Sequence, residues 1–427
     1  MAPQSPTLNS IIGSRRAAWL AMIFALAVVL THSAQGQTLN LIHRFTGLDG
    51  EYPNAGLTID AQGRLYGTTA QGGTQRYGTV FRLTHVGSGW VQNVLFNFSF
   101  GPDGALPLSR VIFGPDGTLY GTTSSGGDPN CQQGSCGTVF RLQPPPSACK
   151  TPICPWTETI IHNFEGTAGG NDGEGPTSEV AFDSAGNIYG TTYAGGQYNF
   201  GMVYKLTNVN GTWTETNLHS FTIFERGPDA GVTIDANGNL YGTTVDAYPN
   251  YGEVYELSPS GGGWTEQVLH TFQQSDGGNP SAGLILDAAG NLYGATSSFG
   301  PNNGGTAFEL SPSNGGWSFA VLYSFTGAEY GSGGPHANLV FDASGNLYGT
   351  TFADGANLLG SVFKLTPGAG GWTYTSLYDF NDPYTAAYPV SNVVFDSAGN
   401  LYGTTVNGGP PYYCSYGCGT VWEISEQ

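Results

Sequence analysis

Asp235-Ala-Asn-Gly-Asn-Leu-Tyr-Gly-Thr-Thr244 is one of seven copies of the same stretch. Its Tyr-Gly pair falls at Tyr66, Tyr120, Tyr189, Tyr241, Tyr293, Tyr348 and Tyr402, at steps of 54, 69, 52, 52, 55 and 54 residues. A period near fifty residues marks an array of like units, and the array decides the architecture before any single residue is read.

Each unit opens on a proline: Pro53, Pro107, Pro176, Pro228, Pro280, Pro335 or Pro389. Seven residues later stands Asp60, Asp183, Asp235, Asp287, Asp342 or Asp396, while the second unit has Gly114 there. The apolar run between, such as Gly231-Val-Thr-Ile234, reads as a short strand buried on both faces, strand a. Asp-x-x-Gly-Asn then predicts a tight turn. The aspartate accepts from amides further on, and the glycine takes a positive φ. Leu-Tyr-Gly-Thr-Thr is strand b. A Gly-rich loop leads to strand c, for example Gly360-Ser-Val-Phe-Lys-Leu365. Strand d opens on tryptophan and closes on phenylalanine eight residues later, as in Trp90/Phe98, Trp213/Phe221 and Trp372/Phe380. Four short antiparallel strands per unit make the blade of a β-propeller, since sandwiches need longer units and β-helices shorter rungs. The predicted fold is all-β: a single seven-bladed β-propeller over residues 37–427.

Seven a-b-c sets accompany only six tryptophan-headed d strands, and the last unit stops after Thr420-Val-Trp-Glu-Ile-Ser425. The missing strand lies at the other end of the chain. Leu39-Asn-Leu-Ile-His-Arg-Phe45 matches the d pattern, with Gln37 in the tryptophan slot. Residues 38–45 are therefore predicted to close the last blade, which removes the open edges of a linear array.

Residues 1–36 read as a signal peptide. Arg15 and Arg16 precede an apolar run from Ala17 to Leu30, too short to span a membrane, and small residues near Ala34 and Gly36 suit cleavage. Ser14-Arg15-Arg16 matches the twin-arginine signal only in part, so ordinary secretion is the expected route. No cysteine follows the run to take a lipid, and no membrane insertion is expected after cleavage. The expected location is secreted, periplasmic or extracellular, as a monomer. A formal charge of −19 from 12 basic and 31 acidic residues repels nucleic acid and anionic membranes.

Six cysteines in an exported chain predict disulfides, and the repeat places them in loops. Cys131–Cys136 and Cys414–Cys418 fall in b-c loops and Cys149–Cys154 in a c-d loop, each closing a short loop worth about 2 kcal/mol. The two pairs of the second unit belong to opposite faces, which disfavours a shared metal. No cofactor is required, and calcium has no motif to support it.

In a propeller the d-a and b-c loops surround one mouth of the central channel, and here they are the long, variable ones. Three positions after the prolines the residues are Gly56, Arg110, Glu179, Gly231, Gly283, Asn338 and Asn392, with Asp229 and His336 one position after. Arg110, Glu179, Asp229, His336, Asn338 and Asn392 are the candidate ligand residues. The alternative is that Arg110 and Glu179 only form a salt bridge in the channel. Channel-side aromatics outside the repeat, including Tyr198, Tyr251, Tyr384 and Tyr413, suit stacking on sugar rings, or pack over blade ends. His43, His162, His219 and His270 recur two residues before the closing phenylalanine and read as structural. No nucleophile elbow, zinc helix or phosphate loop is present. If the protein is an enzyme, Glu179, Arg110 and His336 would carry the chemistry, with Asp172 or Glu174 as a second carboxylate for glycoside cleavage.

Leu-Tyr-Gly-Thr-Thr, then Gly-Gly, then Gly-Thr-Val-Phe resembles the bacterial GloVer tandem repeat of "choice-of-anchor" exported proteins. The resemblance covers 37–427 and implies export and a repeat fold, with no activity attached. The sorting tail common in such proteins is not seen, so surface anchoring is not expected. The pattern also looks like other exported seven-bladed propellers, some of them lyases that place histidine and acids at the channel mouth; here only His336 would serve. The expected function is a secreted binding or scaffold module for a neutral glycan or an extracellular protein. The alternative is a polysaccharide-active or lyase-type enzyme at the same mouth.

Overall fold

The computed structural model describes residues 37–131, 135–146, 155–225, 227–245, 249–327, 333–410 and 414–425. Residues 1–36, read from the sequence as a signal peptide, and Cys149–Cys154, Tyr248, Tyr412 and Tyr413 lie outside the described residues.

A compact unit covers Leu39–Ser425. It holds seven four-stranded antiparallel sheets, each in the order a-b-c-d, so the chain forms the expected seven-bladed propeller. In the fourth blade the strands are Thr233–Ile234, Leu240–Thr244, Glu253–Ser260 and Gly263–Thr271. The only helix among the described residues is a 3-10 turn at Gly166–Gly169. The ring closes with strand Thr38–Arg44 beside Thr420–Ser425, as the last blade's fourth strand. Phe45 follows directly, and its N–H donates to Gly419 O at 3.0 Å.

The Asp-x-x-Gly turn forms as its sequence dictates. Asp235 Oδ1 accepts from the amides of Asn237 and Asn239, both at 2.8 Å, and Gly238 takes φ +86. The carboxylate's other oxygen accepts from the repeat tyrosine, Tyr241, at 3.4 Å. This Tyr-Asp bond recurs in every blade. In the second blade the partner of Tyr120 is Asp116, at 3.1 Å. Glycine stands at 114 in place of the aspartate because the Tyr120 ring fills the space that a Cβ there would need.

Seven hydrophobic clusters form the core, one at each interface between neighbouring blades. Each centres on the closing phenylalanine of one strand d packed on an aromatic of strand c in the next blade. Phe98–Phe140, Phe221–Tyr255 and Phe272–Phe308 have ring centroids 5.3, 5.2 and 5.1 Å apart. Phe45–Phe81, at 5.1 Å, joins the last blade to the first in the same way. The repeat tyrosine packs on the next blade's tryptophan, as in Tyr402–Trp90 at 5.8 Å. Where Gln37 replaces that tryptophan, Leu39 and Leu41 pack on the cluster holding Tyr348 instead.

Strand b is sewn to its neighbour by hydrogen bonds. The first threonine of Leu-Tyr-Gly-Thr-Thr donates to the carbonyl two residues after the next blade's proline. Thr68 reaches Ser109 O at 2.8 Å, Thr191 Ala230 O at 2.9 Å and Thr350 Ser391 O at 2.7 Å. Thr404 reaches Ala55 O at 3.1 Å and seals the ring. The Ala or Ser at each accepting position is buried, between 1% and 8% exposed, as tight packing near the axis requires. Six of the seven prolines, all but Pro335, also lie against the glycine that opens the previous strand c. At Gly252, with φ +107, an added Cβ would stand 2.5 Å from Pro280 Cδ.

Strand a differs from expectation. Its paired part is two half-buried residues, such as Thr233–Ile234, rather than a run buried on both faces. The residues before it line the channel, and their carbonyls are already taken by threonines of the neighbouring blade.

Candidate functional site at the channel mouth

Two rings of side chains line the channel. The inner ring, three residues after each proline, borders a cavity of about 130 Å³. The outer ring, one residue after, is Asn54, Leu108, Thr177, Asp229, Ser281, His336 and Val390, around a bowl of about 430 Å³. Tight turns aim the outer ring inward. Tyr52, Leu106, Asn279 and Tyr388, each directly before a proline, hold φ of +56, +53, +52 and +58. Such values are strained for residues other than glycine and cluster where surrounding structure enforces them. Asn54 N–H and Ser281 N–H close these turns on Tyr52 O and Asn279 O, at 2.9 and 2.8 Å.

The inner ring is filled by its own bonds. Arg110 Nε donates to Glu179 Oε2, and Nη2 donates to Glu179 Oε1 at 3.1 Å. Burial works against the guanidinium charge, but Glu179 beside it more than compensates and raises the Arg110 pKa. Asn338 donates to the same Glu179 Oε1 at 3.2 Å and accepts from Gly283 N–H at 2.7 Å. A bond of residues 159 apart in sequence thus crosses the channel and stops its neck. Asn392 is 7% exposed, and its amide occupies the space that a Cβ at Gly56 would need. Gly56 and Gly283 are therefore sockets for Asn392 and Asn338.

The outer ring is the open part. Asp229 accepts from Thr177 Oγ1 at 3.0 Å. Burial raises the Asp229 pKa, against the pull of Thr177 and of His336 nearby. His336 packs edge-on against Phe352, with centroids 5.4 Å apart. Asn54, Leu108, Thr177, Ser281 and Val390 complete this ring and were not singled out from the sequence. They share the register of Asp229 and His336, and reading that whole column would have found them.

The aromatic candidates divide. Tyr198 and Tyr384 are 50% and 55% exposed. Tyr251 packs on Phe299, with centroids 4.6 Å apart, and belongs to the core of its interface. Among the described residues the exposed aromatics are Tyr77, Phe100, Tyr193, Tyr198, Phe224, Tyr384 and Tyr416, and every one sits in a b-c or d-a loop. These loops emerge on the mouth face.

The four histidines that precede the closing phenylalanines are structural, as expected. His43 and His162 meet Asp49 and Asp172 at 3.0 and 3.2 Å, and all four rings pack edge-on against the phenylalanine two residues later. Asp172 is committed to His162 and to the amides of Glu165 and Gly173. Glu174 borders another pocket, so neither acid joins Glu179 in one cavity. Cys131–Cys136 and Cys414–Cys418 are disulfides, with Cα atoms 5.9 and 5.2 Å apart. His219, Glu225 and Glu266 bring ligand atoms within 4.8 Å of one another. Glu225 there accepts from Thr222, and Glu266 lies 3.5 Å from His219, so these groups serve each other. No helix among the described residues is long and apolar enough to cross a membrane.

The fold and its mouth define a seven-bladed propeller with a stoppered axis and a polar bowl above it. By sequence the chain belongs to the Gloeobacter/Verrucomicrobia repeat family, whose pattern matches residues 24–222, 149–288 and 246–427. No curated protein matches it. Among solved structures it is similar to an ulvan lyase of polysaccharide lyase family PL25 bound to -[GlcA(1-4)Rha3S]-, at 12% identity and TM-score 0.54. That match covers 92% of this chain and 96% of the lyase. A second structure of an ulvan lyase of that family gives TM-score 0.53 at the same identity and coverage. At such identities the likeness is one of fold.

Proposed function

We propose that this protein is an exported binding module whose mouth face takes a neutral glycan. The observation that carries the reading is the bowl itself. Its ring mixes amide, hydroxyl, carboxyl and imidazole groups with Leu108 and Val390, and its floor is closed by Arg110, Glu179 and Asn338. A few convergent polar groups in a concave site, with exposed aromatics around it, suit sugar hydroxyls and ring faces. The charge of −19 and the carboxyl of Asp229 disfavour an anionic polymer such as the lyase's ligand. Two disulfides in the mouth-face loops agree with a place outside the cytoplasm.

One observation favours a catalytic second reading. Asp229, held protonated to higher pH by burial, shares the bowl with His336, which is an acid–base pair in form. Turnover would then rest on these two rather than on Glu179 and Arg110, whose polar atoms are engaged with each other.

Residues 37–427, wild type and Asp229→Asn/His336→Gln, mixed with neutral and acidic polysaccharides and assayed for retention and released fragments, separate the readings. Retention of a neutral polymer without fragments, weakened in the variant, is the expected result. Fragments from wild type alone would make the protein an enzyme. Retention of no glycan would overturn both readings in favour of a protein partner.

A further inference from the structure

A second pocket, of about 340 Å³, opens between the second and third blades and shares Thr177 with the bowl. Its walls come from three loops of the mouth face. Ser124, Ser125 and Ser135 belong to the second blade's b-c loop, Glu174 to the following d-a loop and Tyr193 to the third blade's b-c loop. Bonds among the described residues tie these walls together. The disulfide Cys131–Cys136 closes the serine-bearing loop, and Gly175 N–H donates to Cys136 O at 2.9 Å. Tyr193 N–H in turn donates to Gly175 O at 3.1 Å, and Glu174 pairs with Ala194 across a two-residue ladder.

The groups inside are less engaged than their surroundings. Ser124 donates to Leu106 O at 3.0 Å, and Ser135 Oγ accepts from Gly126 N–H at 2.7 Å and keeps its own proton to give. The Tyr193 ring is 54% exposed. The Glu174 carboxyl borders the pocket, and burial raises its pKa. A hydroxyl cluster, one carboxyl and an exposed aromatic on these walls are what a sugar ring needs, hydrogen bonds at its edge and a flat apolar surface beneath. Each cavity is of ligand size, since small-molecule sites begin at about 300 Å³.

We propose that bowl and pocket form one two-part cleft joined at Thr177, which takes a neutral oligosaccharide of at least two units, Tyr193 stacking on the outer sugar and Glu174 with the serine hydroxyls binding its edge. This deepens the glycan reading above and rests on it. It assigns the lengthened b-c and d-a loops of the second unit, part of its 69-residue step from Tyr120 to Tyr189, to building the outer wall. Preformed walls save the ordering cost that a loose loop would charge against affinity.

Calorimetric titration of residues 37–427 with cello-, laminari-, manno- and xylo-oligosaccharides of one to six units tests it, using wild type, Tyr193→Ala, Glu174→Gln and Asp229→Asn. Affinity should rise from one unit to longer chains. Tyr193→Ala should weaken the chains roughly two- to ten-fold, the worth of one aromatic contact, and leave single sugars unchanged. Glu174→Gln should do likewise, while Asp229→Asn weakens every length. Tyr193 is a surface residue, so its variant should melt with wild type. If both pocket variants titrate like wild type while Asp229→Asn weakens binding, the extension is wrong and the mouth reading stands. If wild type binds no length of any series, both fall.

Discussion

Glu158, Glu215 and Glu266 occupy one slot in three successive blades, two residues after the tryptophan of strand d. Burial, with Asp103 nearby, pushes Glu158 up to about 8. Burial and neighbouring acids push Glu215 and Glu266 up to about 7. A carboxyl whose folded pKa lies above its ordinary 4.5 costs nothing at low pH and destabilises as pH rises, because only the unfolded chain ionises it freely. Glutamine mimics the protonated acid. Glu158→Gln should therefore melt with wild type near pH 4, below the unfolded pKa, and above it near pH 8, read by thermal unfolding at both. A gain of equal size at both pH values would contradict the account. The turn aspartates work oppositely. Burial would raise Asp60 and Asp183, but hydrogen bonds from backbone amides and side chains outweigh it and lower both. Their contribution is present above the ordinary 3.8 and fades as pH falls through their folded values.

At the scale of the strand, the threonine that bonds the next blade's carbonyl has one exception. The fifth blade reads Leu292-Tyr-Gly-Ala-Thr296, and Ala295 faces Ala307 where other blades have threonine and valine. Ala295→Thr should add the missing bond, to Ala337 O by the register of the other blades, and stabilise the protein by about 1 kcal/mol in urea unfolding. No gain would mean that the interface has closed over the smaller side chains. The disulfide of the last b-c loop is a second such element. Cys414→Ser/Cys418→Ser should cost about 2 kcal/mol, and unchanged unfolding would assign the loop's order to its other contacts. Strand b and the Asp-x-x-Gly turn were legible in the sequence because each blade builds them from its own residues. The true length of strand a was not, since its carbonyls bond a neighbouring blade. Nor was the Asp116 partner of Tyr120, which shifts the aspartate by two positions.

At the scale of the whole ring, closure was legible as a missing strand d and a spare one at the other terminus. Phe45 fills the slot of Phe98 and Phe221, and it meets Phe81 as they meet their partners. Phe45→Ala should cost about 3–5 kcal/mol, as should Phe98→Ala. A Phe45→Ala melting temperature equal to wild type would contradict this closure. The candidate site was legible as the inner column and as Asp229 and His336 of the outer one, but not what fills them. The Glu179–Asn338 bond joins the third and sixth blades across the axis, and no local repeat reports it. That bond turns the inner column into a stopper, so the ligand binding proposed above falls to the outer one. Amide hydrogen exchange of residues 37–427, with and without the neutral oligosaccharides, tests most directly that this mouth is the binding face. Protection should appear in mouth-face loops such as 98–107, 172–177 and 193–201, with the a-b turns 60–64, 235–239 and 342–346 unchanged. Protection confined to those turns, or none with any sugar, would contradict it.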